Sequence, residues 1–234
     1  MSLKLEGIWF KYPGSERWAL RNVSTEFREG EVAVITGPNG SGKTTLLKVS
    51  ALLYRPLRGS VRAWGRDFWR LGSDGKIDLR RKVIYVHEKP ILLKGSTLYN
   101  LAYGLLLRGY SRSEAFKAAD KLIEKLGIAH LRDKPISMLS AGEAQLISIL
   151  RAMAVNPRLL LLDEPVAHLD LRKRRLMVSM MRELAASGVG CVIATHDYSL
   201  AESVADRVMV LEDGSLVADD KPEAILESLR EQKA

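Results

Sequence analysis

The opening of the chain alternates apolar and polar positions in short runs broken by turn residues. Lys4 to Phe10 and Ala19 to Phe27 read as strands, with Tyr12-Pro13-Gly14 and Glu29-Gly30 as turn signals, and together they predict an antiparallel patch. Glu31 to Thr36 reads as a buried strand that runs into a glycine-rich loop and then into an apolar helical stretch, Thr44 to Leu53. From Ser96 to about Val155 the period becomes helical, with Ser113 as the expected cap of a helix that continues through Leu126 and stops at Gly127. Strand-like runs return at Leu159 to Leu162, Gly190 to Ala194 and Arg207 to Leu211, separated by helical stretches around Leu171 to Ala186 and Ser199 to Val204. Buried strands alternating with helices predict an α/β fold with a largely parallel sheet. No internal repeat or low-complexity segment interrupts this order.

Composition narrows the picture. With 234 residues, 47% hydrophobic and 27% charged, the chain is expected to fold as one domain, 1–234, with a helical subdomain at about 94–155 inserted in the core. Its apolar runs fall far short of the roughly 18 residues a membrane-spanning helix needs. At the N-terminus, Met1 to Glu6 shows no long apolar stretch following a basic segment, so a cytoplasmic location is expected. The single cysteine, Cys191, excludes an intrachain disulfide framework and reads as a small buried hydrophobe. A net charge of +8 would suit an anionic partner, but the basic residues are spread along the chain without a nucleic-acid reader motif, so no nucleic acid is expected. His87, His130, Trp64 and Trp69 read as structural, and His168 has no ligand partners at zinc-like spacing.

Gly37-Pro38-Asn39-Gly40-Ser41-Gly42-Lys43-Thr44 carries the chemistry. Glycines let successive backbone N–H groups curl around phosphate oxygens, and the helix that follows offers its positive N-terminal end. Lys43 is placed to reach terminal phosphates, Thr44 to ligate Mg²⁺ and Thr45 to donate to the innermost phosphate. Phosphoryl transfer to water also needs the metal held and the water activated. The run Leu159-Leu160-Leu161-Leu162-Asp163-Glu164 provides both, delivering Asp163 to the metal and Glu164 to the water at the end of a buried strand.

Leu139-Ser140-Ala141-Gly142-Glu143 completes a pattern that, with the phosphate loop and the acidic strand end, resembles the nucleotide-binding subunits of ABC transporters from Leu3 to about Leu226. Locally, Ser140 and Glu143 also stand at the spacing of a capping box. The resemblance implies a P-loop NTPase with a RecA-like core, an antiparallel β subdomain and a helical ABC subdomain. It further implies ATP and Mg²⁺ as cofactors and a head-to-tail dimer with a second copy of the chain. Ser140, Ala141, Gly142 and Glu143 would then contact nucleotide held by the opposite subunit. Ala141 and Glu143 depart from the family's glycine and glutamine: one adds a methyl and the other a negative charge near the partner's phosphate.

By the same resemblance, His196 is the switch histidine and Asp170 belongs to the loop crossing the dimer interface, its alternative being a helix cap before Leu171. Tyr12 would stack on adenine or be a surface tyrosine. Glu88 stands where the family usually has a glutamine that touches the metal, and would either engage Mg²⁺ or be a solvated loop residue. The family works on membrane-spanning transporter subunits at the inner face of the cell membrane. The stretches Lys89 to Leu93 and Asn100 to Gly104 look most like importers of inorganic oxyanions. A non-transport ABC ATPase, acting on nucleic acid or an assembly machine, is the alternative. The chain stops soon after the core, so the long C-terminal regulatory domain of some members is expected to be absent.

Overall fold

A computed structural model describes residues 1–167 and 169–231; His168 lies outside them. The described chain divides into two compact units, the first made of Met1–Tyr85, Arg158–Glu164 and Val178–Ala234, the second of Val86–Pro157 and Pro165–Met177.

Two sheets build the first unit. Strands β1 (Ser2–Phe10) and β2 (Leu20–Arg28) pair antiparallel, and β4 (Arg58–Ala63) and β5 (Arg66–Asp67) extend the same sheet in the order β2-β1-β4-β5. The other sheet contains β3 (Val32–Thr36), β6 (Val83–Val86), β7 (Leu159–Asp163), β8 (Gly190–Ala194), β9 (Arg207–Glu212) and β10 (Ser215–Asp220), in the order β10-β9-β3-β8-β7-β6. Pairings β3–β8, β3–β9 and β7–β8 are parallel, and β9–β10 is an antiparallel edge hairpin.

Every residue of β3, β7 and β8 is buried, as the unbroken apolar runs require of strands covered on both faces. Leu3, Leu5, Ile8 and Phe27 of one sheet and Ile35, Leu159, Leu161 and Val192 of the other share a single apolar core with Leu46 and Leu47. Gly190 is required where β8 starts: a Cβ there would lie 2.2 Å from the Arg28 carbonyl oxygen. Cys191 is fully buried in β8, and burial pushes its thiol up to about 12, which fits an inert packing group.

Helices α1 (Lys43–Ser50), α2 (Ser73–Lys82), α7 (Tyr198–Val204) and α8 (Pro222–Glu231) complete the first unit. The second unit is built on α3 (Thr97–Leu106), α4 (Arg112–Lys125) and α5 (Ala141–Ala154), which bury Leu98, Leu101, Ala119, Ile123, Leu146 and Leu150. The cap of α4 is Ser111 and not Ser113. Its hydroxyl accepts from Glu114 N–H while the Glu114 carboxylate accepts from Ser111 N–H, a reciprocal pairing only that register allows. Helix α6 (Leu171–Ala186) passes from the second unit into the first.

Candidate functional site

Parallel pairing brings the C-terminal ends of β3, β8 and β7 to one edge of the sheet, with β8 in the middle. The phosphate-loop sequence follows β3, Asp163 and Glu164 close β7, and Thr195 and His196 follow β8. Residues far apart in sequence meet here because three consecutive sheet positions end together.

The loop bends as its glycines permit. Gly37 has φ 139° and a Cβ there would sit 2.1 Å from the Leu211 carbonyl oxygen; Gly42, the N-cap of α1, has φ 106° and a Cβ there would sit 2.4 Å from the Ala19 carbonyl oxygen. Both positions exclude a side chain by contact as well as by backbone conformation. Beyond Gly42 the first N–H groups of α1 have no partner within the helix, which makes the end an anion cradle. Lys43 is buried, and its Nζ donates to the carbonyl oxygens of Gly37 (2.8 Å) and Pro38 (3.0 Å). Burial pulls its ammonium below the ordinary lysine value, against the charges of Glu164 and Asp163, which raise it. The ammonium thus stands over its own loop, with acceptors that a phosphate could replace.

Asp163 is 4% exposed and both of its oxygens are engaged. The Thr44 hydroxyl donates to Oδ1 at 3.1 Å, and the Tyr85 hydroxyl donates to Oδ2 at 2.9 Å. Burial and the neighbouring Asp163 charge push the Tyr85 phenol well above its ordinary value. A carboxylate and a hydroxyl side by side are hard oxygen ligands of the kind Mg²⁺ selects, and two protein ligands leave the other positions to phosphate oxygens and water. The donor set fits that ion. Among the described residues no cluster of three or more His, Cys, Asp and Glu could hold a metal by side chains alone.

Glu164 has φ 44°, a left-handed backbone that costs a non-glycine residue on the order of 1 kcal/mol or more. Its N–H still donates to the Ala194 carbonyl, so the β7–β8 ladder runs one residue past the strand and fixes where the side chain starts. Three donors then hold the carboxylate: Thr195 Oγ1 to Oε2 at 2.9 Å, His196 N–H to Oε1 at 3.1 Å, and His196 Nδ1 at 2.8 Å from the same Oε1. An ionised carboxylate only accepts, so Nδ1 carries the proton in this contact and Nε2 is left facing away from Glu164. Thr195 itself accepts from Asp197 N–H at 3.1 Å, which orients its hydroxyl toward Glu164. A base with a fixed direction is what water activation requires.

Tyr12 reaches back to α1, its hydroxyl 3.0 Å from Thr45 Oγ1, and its ring stands edge-on to Phe10 and Tyr54. In the second unit, Ser140 caps α5 in a complete capping box: its hydroxyl accepts from Glu143 N–H at 3.2 Å, and Glu143 Oε2 accepts from Ser140 N–H at 2.7 Å. Lys134 Nζ lies 3.0 and 3.3 Å from the two Glu143 oxygens, so the extra charge at this position is paired. Ala141 is exposed at the first helical position and Gly142 is buried behind it. Asp170 caps α6, accepting from Lys173 N–H at 2.8 Å and pairing with Lys173 Nζ. Glu88 is exposed. The segment after it is fastened within the second unit: buried Asn100 bonds Leu93 N–H and Leu93 carbonyl, and Arg151 donates to the Ile91 carbonyl. Sequence reasoning missed Tyr85, Thr195 and Lys134. Only the sheet order puts Tyr85 beside β7, and Lys134 meets Glu143 through a loop without periodicity.

The ABC transporter family model matches residues 20–167. The chain belongs to this family. A putative ABC transporter ATP-binding protein of Methanopyrus kandleri is 39% identical over 211 residues, 89% of this chain and 77% of that protein. The molybdate/tungstate import ATP-binding protein WtpC of Pyrococcus horikoshii is 37% identical over 217 residues, 92% of this chain; the match spans 61% of that protein's length. Among solved structures, a dimeric ATP-binding cassette bound to ADP and phosphate after hydrolysis superposes with a TM-score of 0.85 at 28% identity, covering 94% of this chain and 98% of that one. The CbiO1 subunit of a Clostridium perfringens ABC transporter complex also gives 0.85 at 28% identity, over 98% of this chain and 93% of that one. The fold is therefore the P-loop cassette of ABC ATPases, and the chain is an ATPase with ATP and Mg²⁺ as cofactors. No helix among the described residues is long and apolar enough to cross a membrane.

Proposed function

We propose that this cassette energises an importer from the cytoplasmic side of the cell membrane by closing an ATP sandwich with a second copy of itself. The observation that carries the reading is the edge where Lys43, Thr44, Asp163, Glu164 and His196 come together at three adjacent strand ends. In this reading the backbone of Gly37, Pro38, Asn39, Gly40, Ser41 and Gly42 cradles the phosphates, Thr45 binds the innermost one, and Tyr12 supports the adenine. Lys43 leaves the Gly37 and Pro38 carbonyls for the γ-phosphate. Thr44 and Asp163 would hold Mg²⁺, with Glu88 as a further ligand, and the ion would supply positive charge to offset that of the phosphates. Glu164 takes a proton from the attacking water, and His196 Nε2 orders the γ-phosphate side. Ser140, Ala141, Gly142, Glu143 and Asp170 serve the nucleotide bound by the opposite subunit.

Transport is supported by the relatives and by the second unit's surface. Ile91, Met138, Leu107 and Tyr110 are large apolar side chains left exposed there, which suits docking on membrane-spanning subunits. An inorganic oxyanion is the proposed cargo class: molybdate/tungstate, anion and phosphate import proteins match at 37%, 32% and 34% identity. Methionine, cobalt and glutamine transport proteins match at 34% each, so the membrane subunits must decide the cargo. The sandwich is tested by light scattering of Glu164→Gln with ATP and Mg²⁺. A nucleotide-dependent dimer is expected; a monomer at concentrations well above micromolar affinity opposes it.

A further inference from the structure

Asp163 is held from two sides, and only one of the two holders belongs to the nucleotide machinery assigned above. Thr44 opens α1 and would present its hydroxyl oxygen to the metal. Tyr85 belongs to β6, the strand next to β7, and its ring packs against the core of the first unit. Its hydroxyl ends 2.9 Å from Asp163 Oδ2, while Oδ1 faces Thr44 at 3.1 Å.

The torsion that turns a carboxylate about its last bond is broad and nearly two-fold, so an aspartate does not by itself fix which oxygen faces which neighbour. A donor of fixed position removes that freedom. The carboxylate has no proton to give, so the phenol is the donor. Thr44 keeps its proton while a lone pair of its oxygen serves the metal, but it engages Oδ1 alone and leaves Oδ2 unplaced. Tyr85 holds Oδ2 separately, its ring packed against the core and its hydroxyl outside the metal site. Partners one shell out from a metal orient its ligands, and their loss typically weakens binding by 10-fold or more.

We propose that Tyr85 is a positioning residue for the Mg²⁺ carboxylate, holding Asp163 through Oδ2 so that Oδ1 is presented beside the Thr44 hydroxyl. The proposal rests on the reading that Thr44 and Asp163 bind Mg²⁺ in this chain.

The test is a Mg²⁺ titration of the purified full chain carrying a fluorescent ATP analogue, read under conditions without turnover, together with analogue affinity in excess chelator. Tyr85→Phe keeps the ring and removes only the hydroxyl. It is expected to shift the Mg²⁺ midpoint upward by about tenfold, with metal-free affinity and melting temperature close to wild type. A purely packing role would move the melting temperature and leave the midpoint in place, which overturns the proposal. An equal change in metal-free affinity overturns it too, because the effect would then lie in the nucleotide cradle. Asp163→Asn in the same titration separates the two levels. Loss of the Mg²⁺ response there, with Tyr85→Phe unchanged, defeats the role of Tyr85 alone. A normal Mg²⁺ response in Asp163→Asn defeats the metal site on which it rests.

Discussion

Removing the Lys134 ammonium leaves the Glu143 carboxylate charged, largely buried and without its cation beside Ser140. At 3.0 Å the pair's gross attraction is about 1.4 kcal/mol in water and about 5.5 kcal/mol at an effective dielectric constant near 20. Lysine side chains lose up to ~2 kcal/mol of rotamer freedom when pinned. Lys134 keeps 32% of its side chain in solvent and Glu143 keeps 15%, so the net value belongs at the upper end of partly exposed pairs, about 1 kcal/mol. In a domain of this size Lys134→Ala should lower the melting temperature by about 2 to 4 °C. Glu143→Ala removes the cap as well, adding about 1 kcal/mol, and should cost about twice as much.

The pH dependence has a definite sign. The Ser140 N–H, with help from Lys134, holds the Glu143 carboxyl below its ordinary value, despite burial. A depressed carboxyl stabilises the fold fully above the unfolded value of about 4.3 and loses that contribution as pH falls through the folded value. Differential scanning at pH 7 and near pH 3 should therefore show the gap between wild type and Lys134→Ala closing at the acid end. ATP-trapped dimers in a Glu164→Gln background should weaken with Lys134→Ala and recover with Lys134→Ala/Glu143→Gln, where the unpaired charge is gone. Equal melting temperatures at pH 7 together with equal trapping would refute the reasoning.

Lys43→Ala should lose ATP binding, and not merely turnover, because the ammonium now resting on Gly37 and Pro38 is the loop's only cation for the terminal phosphates; nucleotide titration checks it. On the proposed reading of Glu88 as a metal ligand, Glu88→Gln should change the metal dependence of hydrolysis and raise basal turnover, since it removes one negative charge; identical metal titrations from pH 5 to 9 would leave Glu88 a solvated loop residue.

What the sequence made legible was whatever depends on short-range pattern. β3, β7 and β8 are unbroken apolar runs because they are buried on both faces, and the strand-loop-helix order around Lys43 is local. The capping box at Ser140 and the cap at Asp170 are three-residue spacings, and both formed. The α4 cap was misplaced by two residues because Ser111 and Ser113 both precede acceptable helix starts, and only Ser111 has Glu114 three residues on. α2, rich in charge, has one buried residue, Leu79, and so little periodicity to read. Tyr85 depends on β6 lying beside β7, a non-local pairing that no spacing encodes. The left-handed turn at Glu164 was likewise unreadable, since nothing in an Asp-Glu-Pro sequence announces it.

The central claim is that Glu164, held by Thr195 and His196, activates water for hydrolysis of ATP bound at the loop after β3. Single-turnover phosphate release from Glu164→Gln, at a chain concentration above that of ATP and with Mg²⁺ present, tests it most directly when read beside equilibrium ATP binding by the same sample. Removing one essential base is expected to slow release by about 10²-fold or more, with ATP affinity at or above the wild-type level. Release at the wild-type rate with ATP fully bound would contradict the account.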